Sequence, residues 1–511
     1  MPSTEGLRRR EAPSRAHRLR AVCAVCAFSG AAALTVASCS TPAIEPTPDA
    51  APPAPVDAAP TDASAASLQP PGWDDGLRLP VLEDLDSAPD VVEVRLEAKV
   101  APVGIGGQTL PMWTYDGLLP GPVLRAKRGD RVLVHFKNSL PAPTTIHWHG
   151  LRVPNVMDGV PDVTQAPIPP GGTFDYEFRV PDAGTFWYHP HVASSTQVGY
   201  GLYGALVVEE RDEEPAPSPV VPASDELTLV LSDVSITDAG ALETPDATGG
   251  LGDYFGREGR PLVNGRVRAS LKARPGLPQR WRVVNASRAH YAALELPGFD
   301  VYRLGGDVGL AETARRLPFG IATVVPGERV ELFVVPRGAA GQSIVATWNT
   351  VDRLHTTAPP EKTPVLDITL EGEPVVGRDL PPPKLAAFEP VTGVDASAPP
   401  ARALAFVDDR GALSMAPADM FTVRARTSEV WTVANMTGQD HPFHLHGFAF
   451  QVLDTGSGPP AQRELRDTVN VVARQRITIA IPFDDRAGTW MFHCHILDHA
   501  DVGMMGMFMV R

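Results

Sequence analysis

Ala487-Gly488-Thr489-Trp490-Met491-Phe492-His493-Cys494-His495 parallels an earlier stretch of the same chain, Ala183-Gly184-Thr185-Phe186-Trp187-Tyr188-His189-Pro190-His191. Each copy leads from an Ala-Gly turn into β-branched and aromatic residues, the composition of a strand. Each is followed by a glycine and an apolar stretch, Gly204 to Val208 and Gly506 to Val510, and each is preceded by a His-x-His-Gly, His147-Trp148-His149-Gly150 and His444-Leu445-His446-Gly447. The first and last thirds of the chain are therefore copies of one β unit. A bare copy lies between them. Pro326-Gly327-Glu328-Arg329-Val330-Glu331-Leu332-Phe333-Val334 echoes Pro170-Gly171-Gly172-Thr173-Phe174-Asp175-Tyr176-Glu177-Phe178, then runs to Trp348 without paired histidines. That predicts a middle unit that is a spacer or scaffold and holds no metal.

Short alternating stretches such as Arg131 to Phe136, Thr228 to Leu231, Arg280 to Val284 and Arg476 to Ile481 read as strands, and 45 glycines with 53 prolines punctuate them. The pattern predicts an all-β protein of Greek-key sandwiches. Composition shifts at Arg211 to Ala223 and at Gly372 to Pro383 divide it into residues 73–212, 222–375 and 384–511, with no ligands in the second.

Ten of the 14 histidines fall in four clusters: His147 and His149; His189 and His191; His441, His444 and His446; His493, His495 and His499. Along a strand, residues i and i+2 share a face and i+1 takes the other. The parity sends His493 and His495 one way and Cys494 the other, so the cysteine serves a different metal from its neighbours while remaining a few bonds from them. The same parity makes His147 with His149, His189 with His191, and His444 with His446 same-face pairs. Eight imidazoles exceed what one ion takes, which points to two or three metals in one nest. His441 and His499 are left to join Cys494, although Pro442 predicts a loop at His441. A thiolate, two imidazoles and a thioether, Met504, are the ligand set of a blue-copper site. A structural zinc site closes at four ligands and would leave most of these side chains unused. His17, His135, His290 and His355 read as ordinary surface or core residues.

All four motifs, in this order and with every ligand position filled, resemble the multicopper oxidases, the family of laccases, bilirubin oxidases and bacterial copper-efflux oxidases. The resemblance runs from about Val91 to the C-terminus and implies three cupredoxin domains and four copper ions. It implies that Cys494, His441 and His499 hold the type 1 copper with Met504 as weak axial ligand, that His147 and His444 hold the type 2 copper, and that His149, His189, His191, His446, His493 and His495 hold the type 3 pair. It further implies four one-electron oxidations at type 1 and one four-electron reduction of O2 to water at the buried cluster. Asp158, in Met157-Asp158-Gly159, matches the family's acidic residue near the type 2 copper, and a turn Asp before Gly accounts for it equally well. Bacterial members often carry a glutamate directly after the last type 1 histidine. Here that position is Ala500, which leaves Asp498 or Asp501 as candidate substitutes for handling protons.

The formal charge of −15 argues against a nucleic-acid partner. Residues 1–39 read as an export signal: six arginines, then an apolar run from Ala21 to Ala37 ending in Val36-Ala37-Ser38-Cys39, which resembles a bacterial lipobox. Residues 40–72 are rich in Pro and Ala and predict a disordered tether. The expected setting is periplasmic, or anchored at the outer membrane through lipid on Cys39, with contact to membrane by that route alone. With 11 methionines but no methionine-rich insert, the expected reductants are phenols and aromatic amines; a cuprous or ferrous oxidase is the alternative. A nitrite reductase needs three histidines at its catalytic copper, a storage protein needs no buried cysteine wire, and a non-catalytic envelope protein of this fold would have lost ligands.

Overall fold

The computed structural model describes residues 67–511 apart from 212–220, 238–239, 244–258, 354–360, 378–379, 383 and 410–411. The expected export signal with Cys39, most of the expected tether, His17 and His355 lie outside the described residues.

Six sheets pair into three sandwiches. In the first, a sheet ordered Gln108–Tyr115, Val91–Ile105, Arg131–Asn138, Thr173–Arg179 shares one apolar core with a sheet ordered Gly121–Lys127, Gly204–Glu209, Gly184–His189, His147–His149. Alternation along Arg131–Asn138 sends Val132, Val134 and Phe136 into that core, as period-2 patterning requires. The opening strands follow one plan three times. Val91–Ile105 pairs antiparallel with the next strand and parallel with Arg131–Asn138. Glu226–Val234 does the same with Arg260–Val263 and Gln279–Asn285, and Arg402–Asp409 with Ala412–Ala416 and Thr427–Asn435. The middle unit is thus a third copy of the cupredoxin-like topology, and its core centres on Trp281, Leu332, Leu294 and Trp348. Trp431, Ile479, Phe492 and Phe508 fill the last one.

All four sequence stretches read as strands lie within strands. The end of the expected tether behaves differently. Gln69 and Pro70 are buried, and just beyond it Trp73 and Leu77, expected in the first unit, enter the core of the middle sandwich. The Trp73 carbonyl accepts from Lys272 N at 2.9 Å and the Leu77 carbonyl from Asn264 Nδ2 at 2.6 Å. One tryptophan and one leucine supply apolar area enough to hold a strap that its Pro-rich surroundings disguise. Pro442 likewise lies in a strand, His441–Leu445, and not in a loop. Its carbonyl accepts from His495 N at 2.8 Å, and the N–H it lacks is not needed. His135 lies on the surface between Asp175 and Glu93, at 2.8 and 2.9 Å, and His290 packs beside Trp348 with ring centroids 4.8 Å apart.

Candidate metal centre

Four strands and the residues directly after them carry the paired histidines to the seam between the first and last sandwiches. His147–His149 pairs with Gly184–His189 so that His147 stands opposite His189, and His441–Leu445 pairs with Gly488–Cys494 so that His444 stands opposite His493. The two pairs meet face to face. His147 stacks on His446 with centroids 3.9 Å apart, and His149 on His444 at 3.8 Å. All eight imidazoles are buried. Their ligating nitrogens fall into two mixed triads, His149 with His189 and His495, and His191 with His446 and His493; His147 and His444 come together with His149 in a third group.

The outer nitrogens settle where the lone pairs point, because a carbonyl or carboxylate oxygen only accepts. Nδ1 of His147 donates to the Asp158 carbonyl at 2.8 Å, Nδ1 of His189 to the Pro190 carbonyl at 3.0 Å, and Nδ1 of His444 to the Asp467 carbonyl at 3.0 Å. In each ring Nε2 is buried with no hydrogen-bond partner. His149 is turned over: Nε2 donates to Asp467 Oδ1 at 3.1 Å and Nδ1 is the orphan. Nδ1 of His446 donates to Asp158 Oδ2 at 2.9 Å and Nδ1 of His493 to the Cys494 carbonyl at 2.8 Å. Their two Nε2 lone pairs then confront each other at 3.1 Å, an arrangement that only a cation between them makes favourable. Oriented acceptors behind inward-facing imidazoles are the mark of a built metal site.

Cys494 faces away from this nest, into the core of the last sandwich with Met504. Its Sγ lies 3.5 Å from His441 Nδ1 and 3.7 Å from His499 Nδ1. His441 Nε2 donates to Thr437 Oγ1 at 2.8 Å, whose own proton goes to Asn435 or Gln439, so Nδ1 of His441 carries the lone pair toward the sulfur. Met504 is tied in by its backbone, its carbonyl accepting from Cys494 N at 3.0 Å and its N–H donating to His499 O at 2.9 Å. Two imidazoles, a thiol and a neighbouring thioether suit copper, and the parity that separates Cys494 from His493 and His495 holds in the structure.

Burial dominates the electrostatics. It pushes the imidazoles of His149, His189, His446, His493 and His495 well below the ordinary histidine range, with neighbouring rings adding to the effect, and lowers His191 and His441 to about 3. These rings are neutral and ready to ligate. Burial pushes the Cys494 thiol up to about 12, so a bound cation has to displace its proton. For Asp158 burial acts upward but His446 and His147 outweigh it, which holds the carboxyl below its usual range.

Asp158 is accordingly more than a turn residue. Gly159 behind it has φ +81°, and a Cβ there would strike the Ile146 carbonyl, so the turn that aims Asp158 at the nest needs glycine. Asp498 and Asp501 lie at the seam, where burial pushes both carboxyls up, Asp501 to about 6. Asp498 takes Ser195 Oγ, with Arg288 Nε at 3.4 Å, and Asp501 accepts from the amides of Ser194 and Ser195 at 3.2 and 2.9 Å.

Two residues that the motifs do not reveal complete the wall. Asp467, buried in the last sandwich, supports His149 by its side chain and His444 by its backbone, and is gripped through both oxygens by Arg329 of the middle sandwich. Arg329 is fully buried, also donates to the Thr185 and Asp307 carbonyls, and so joins all three units. Beside it, Gly327 has φ +83°, and a Cβ there would lie 2.6 Å from the His495 ring. The Pro326-Gly327-Glu328-Arg329 turn, read from sequence as bare scaffold, holds no ligand but closes the nest.

Residues 98–213 and 381–511 match a family described as multicopper oxidase. The chain is similar to the multicopper oxidase mco of Staphylococcus haemolyticus, at 31% identity over 409 residues, covering 78% of this chain and 83% of the relative. It is 27% identical to the laccase of Bacillus subtilis, covering 77% and 89% of the two chains. Among solved structures, a Campylobacter jejuni multicopper oxidase described as a metallo-oxidase superposes with a TM-score of 0.71 at 29% identity, covering 84% of this chain and 94% of the other.

Proposed function

The chain belongs to the multicopper oxidases, copper oxidoreductases with O2 as acceptor, and from that premise we propose that it is a laccase-like oxidase of phenols and aromatic amines carrying four copper ions. In this reading His441, Cys494 and His499 hold the type 1 copper with Met504 near it, His147 and His444 the type 2, and the triads His149, His189, His495 and His191, His446, His493 the type 3 pair. Copper so held supplies one-electron oxidation at Cys494 and four-electron reduction of O2 at the nest. Cys494 and its covalent neighbours His493 and His495 carry the electrons inward. Asp158 holds His446 in place and offers a carboxylate through which a proton can reach the nest.

The observation that carries the reading is the division of eleven donors into a Cys494 group and an eight-imidazole nest, joined by one peptide bond on either side of the cysteine. An aromatic reductant is favoured over Cu(I) because the chain has no methionine-rich insert, and apolar side chains near the Cys494 group in sequence are exposed. Met436, next to the Thr437 that holds His441, is 58% exposed, and Val502, three residues past His499, is 38% exposed. Metal analysis with oxygen-electrode assays on a phenol, an aromatic amine, Cu(I) and Fe(II) tests it. Four copper ions per chain and fastest O2 uptake with the phenol or amine are expected; turnover confined to Cu(I) or Fe(II) would replace it with a metal-ion oxidase.

Export to the periplasm with a lipid on Cys39 belongs to the same proposal. It predicts incorporation of labelled palmitate that Cys39→Ser abolishes.

A further inference from the structure

The last strand, Met505–Val510, presents Gly506, Phe508 and Val510 inward and Met505, Met507 and Met509 on the opposite face. Its partner strand Gly488–Cys494 does the same: Trp490, Phe492 and Cys494 lie in the core of the last sandwich, whereas Met491 and His493 face the other way. None of these four methionines belongs to that core cluster. Across the sheet His444 stands opposite His493 and His493 opposite Met505. One row along, His446 N donates to the Met491 carbonyl at 3.0 Å, and Met491 stands opposite Met507. Side chains directly opposite in such pairs have Cβ atoms about 5 Å apart, and i, i+2 neighbours along a strand about 6.6 Å. The imidazole patch of His444, His446 and His493 therefore continues sideways, without a break, into a thioether patch of Met491, Met505 and Met507.

Burial falls along the same line. His493 is 1% exposed, Met491 5% and Met507 38%. The neighbouring strand Phe421–Val423 pairs only with Phe508, Met509 and Val510, so the Met505–Met507 end stands at the edge of the sheet among the described residues. Thioethers are soft, uncharged ligands that select monovalent copper over Cu(II), zinc and the hard cations. Because the nest lies at a buried seam, an incoming ion needs a way past the surface that keeps it ligated.

We propose that Met491, Met505 and Met507 form a Cu(I) site at this sheet edge, through which copper enters and is handed to His493 and His446. The site binds and releases the ion with no change of oxidation state: a thioether contact is exchanged for an imidazole contact, and no proton moves. The inference rests on reading the nest as a copper site.

The test compares the full-length chain with its Met505→Leu, Met507→Leu double variant, which keeps bulk and removes sulfur. Ag(I), a redox-inert probe of the same softness, is titrated into both copper-loaded proteins. The wild type is expected to bind a single Ag(I) with sulfur neighbours by X-ray absorption, and the variant to bind it at least about tenfold more weakly, the order that losing a supporting metal contact costs. Copper-stripped wild type and variant are then refilled anaerobically from a Cu(I)–chelator complex. Filling of the nest should slow in the variant while the visible band of the Cys494 group grows at the wild-type rate. Equal Ag(I) affinity in the two proteins overturns the site, and weakened Ag(I) binding with unchanged filling overturns its role in entry. A wild-type nest that takes up no copper refutes the functional reading instead, and the neighbours of the bound Ag(I) tell the two failures apart: sulfur marks the methionine site and imidazole nitrogen the vacant nest.

Discussion

Cys494 gains a metal only by losing a proton that burial holds at about 12. Copper uptake by this group should therefore release acid, seen in a weakly buffered titration, and Cys494→Ser should abolish both the blue band and the oxidase activity. A colourless but active wild type would refute the assignment. His446 belongs to the other set, so His446→Ala should leave the blue band and stop O2 uptake. Asp158→Asn keeps an oxygen for the His446 Nδ1 proton but removes the charge; the blue band should persist while turnover falls about 10² to 10⁴-fold, the usual worth of a positioned proton-transfer group, as read by O2 electrode. At this scale the grouped donors were legible because each motif packs several of them into a few residues at a spacing with no other use. Asp467 and Arg329 were not. Arg329 lies in the middle repeat and Asp467 in no motif, and only the fold shows that both are buried and that each completes the other.

Strand parity separated Cys494 from His493 and His495 correctly, and it failed to forecast His441–Leu445 as a strand because Pro442 reads as a breaker. The failure has a physical source: a proline is excluded from a ladder only where its N–H would be used. At the level of elements the strand Arg329–Pro336 is the one to test. Arg329→Ala strips the buried Asp467 of its partner, which typically costs about 3–5 kcal/mol, and leaves His149 without a fixed acceptor. Denaturant unfolding should show that loss, and the metal-free protein should show it as well as the loaded one. Equal stability of variant and wild type would mean the Arg329–Asp467 pair holds nothing together.

Three repeated units could be counted from the sequence because the Ala-Gly-Thr and Pro-Gly turns recur, whereas the strap at Trp73 and Leu77 could not, since nothing in its composition says which core it enters. The interfaces between units make the whole molecule acid-sensitive. Burial pushes Glu331 and Glu464 upward, but Arg280 and Arg282 outweigh it for the first and Arg303 and Arg466 for the second, leaving both at about 2 instead of 4.5. Glu331 accepts from Thr185 of the first unit at 2.9 Å, and Glu464 from Arg303 of the middle unit at 2.8 Å. Folded-state values below the unfolded ones give stability that is complete above pH 4.5 and is lost as pH falls toward about 2. Thermal melts across that window should fall, and Glu331→Gln with Glu464→Gln should flatten the fall.

Each mixed triad draws imidazoles from both ends of the chain, His149 and His189 with His495, His191 with His446 and His493. A chain with only its first half folded has four of the eight rings and nothing to set against them. Both triads therefore exist only where the two ends of the chain have folded against each other, so a product cut off within the middle sandwich keeps half of the donor set.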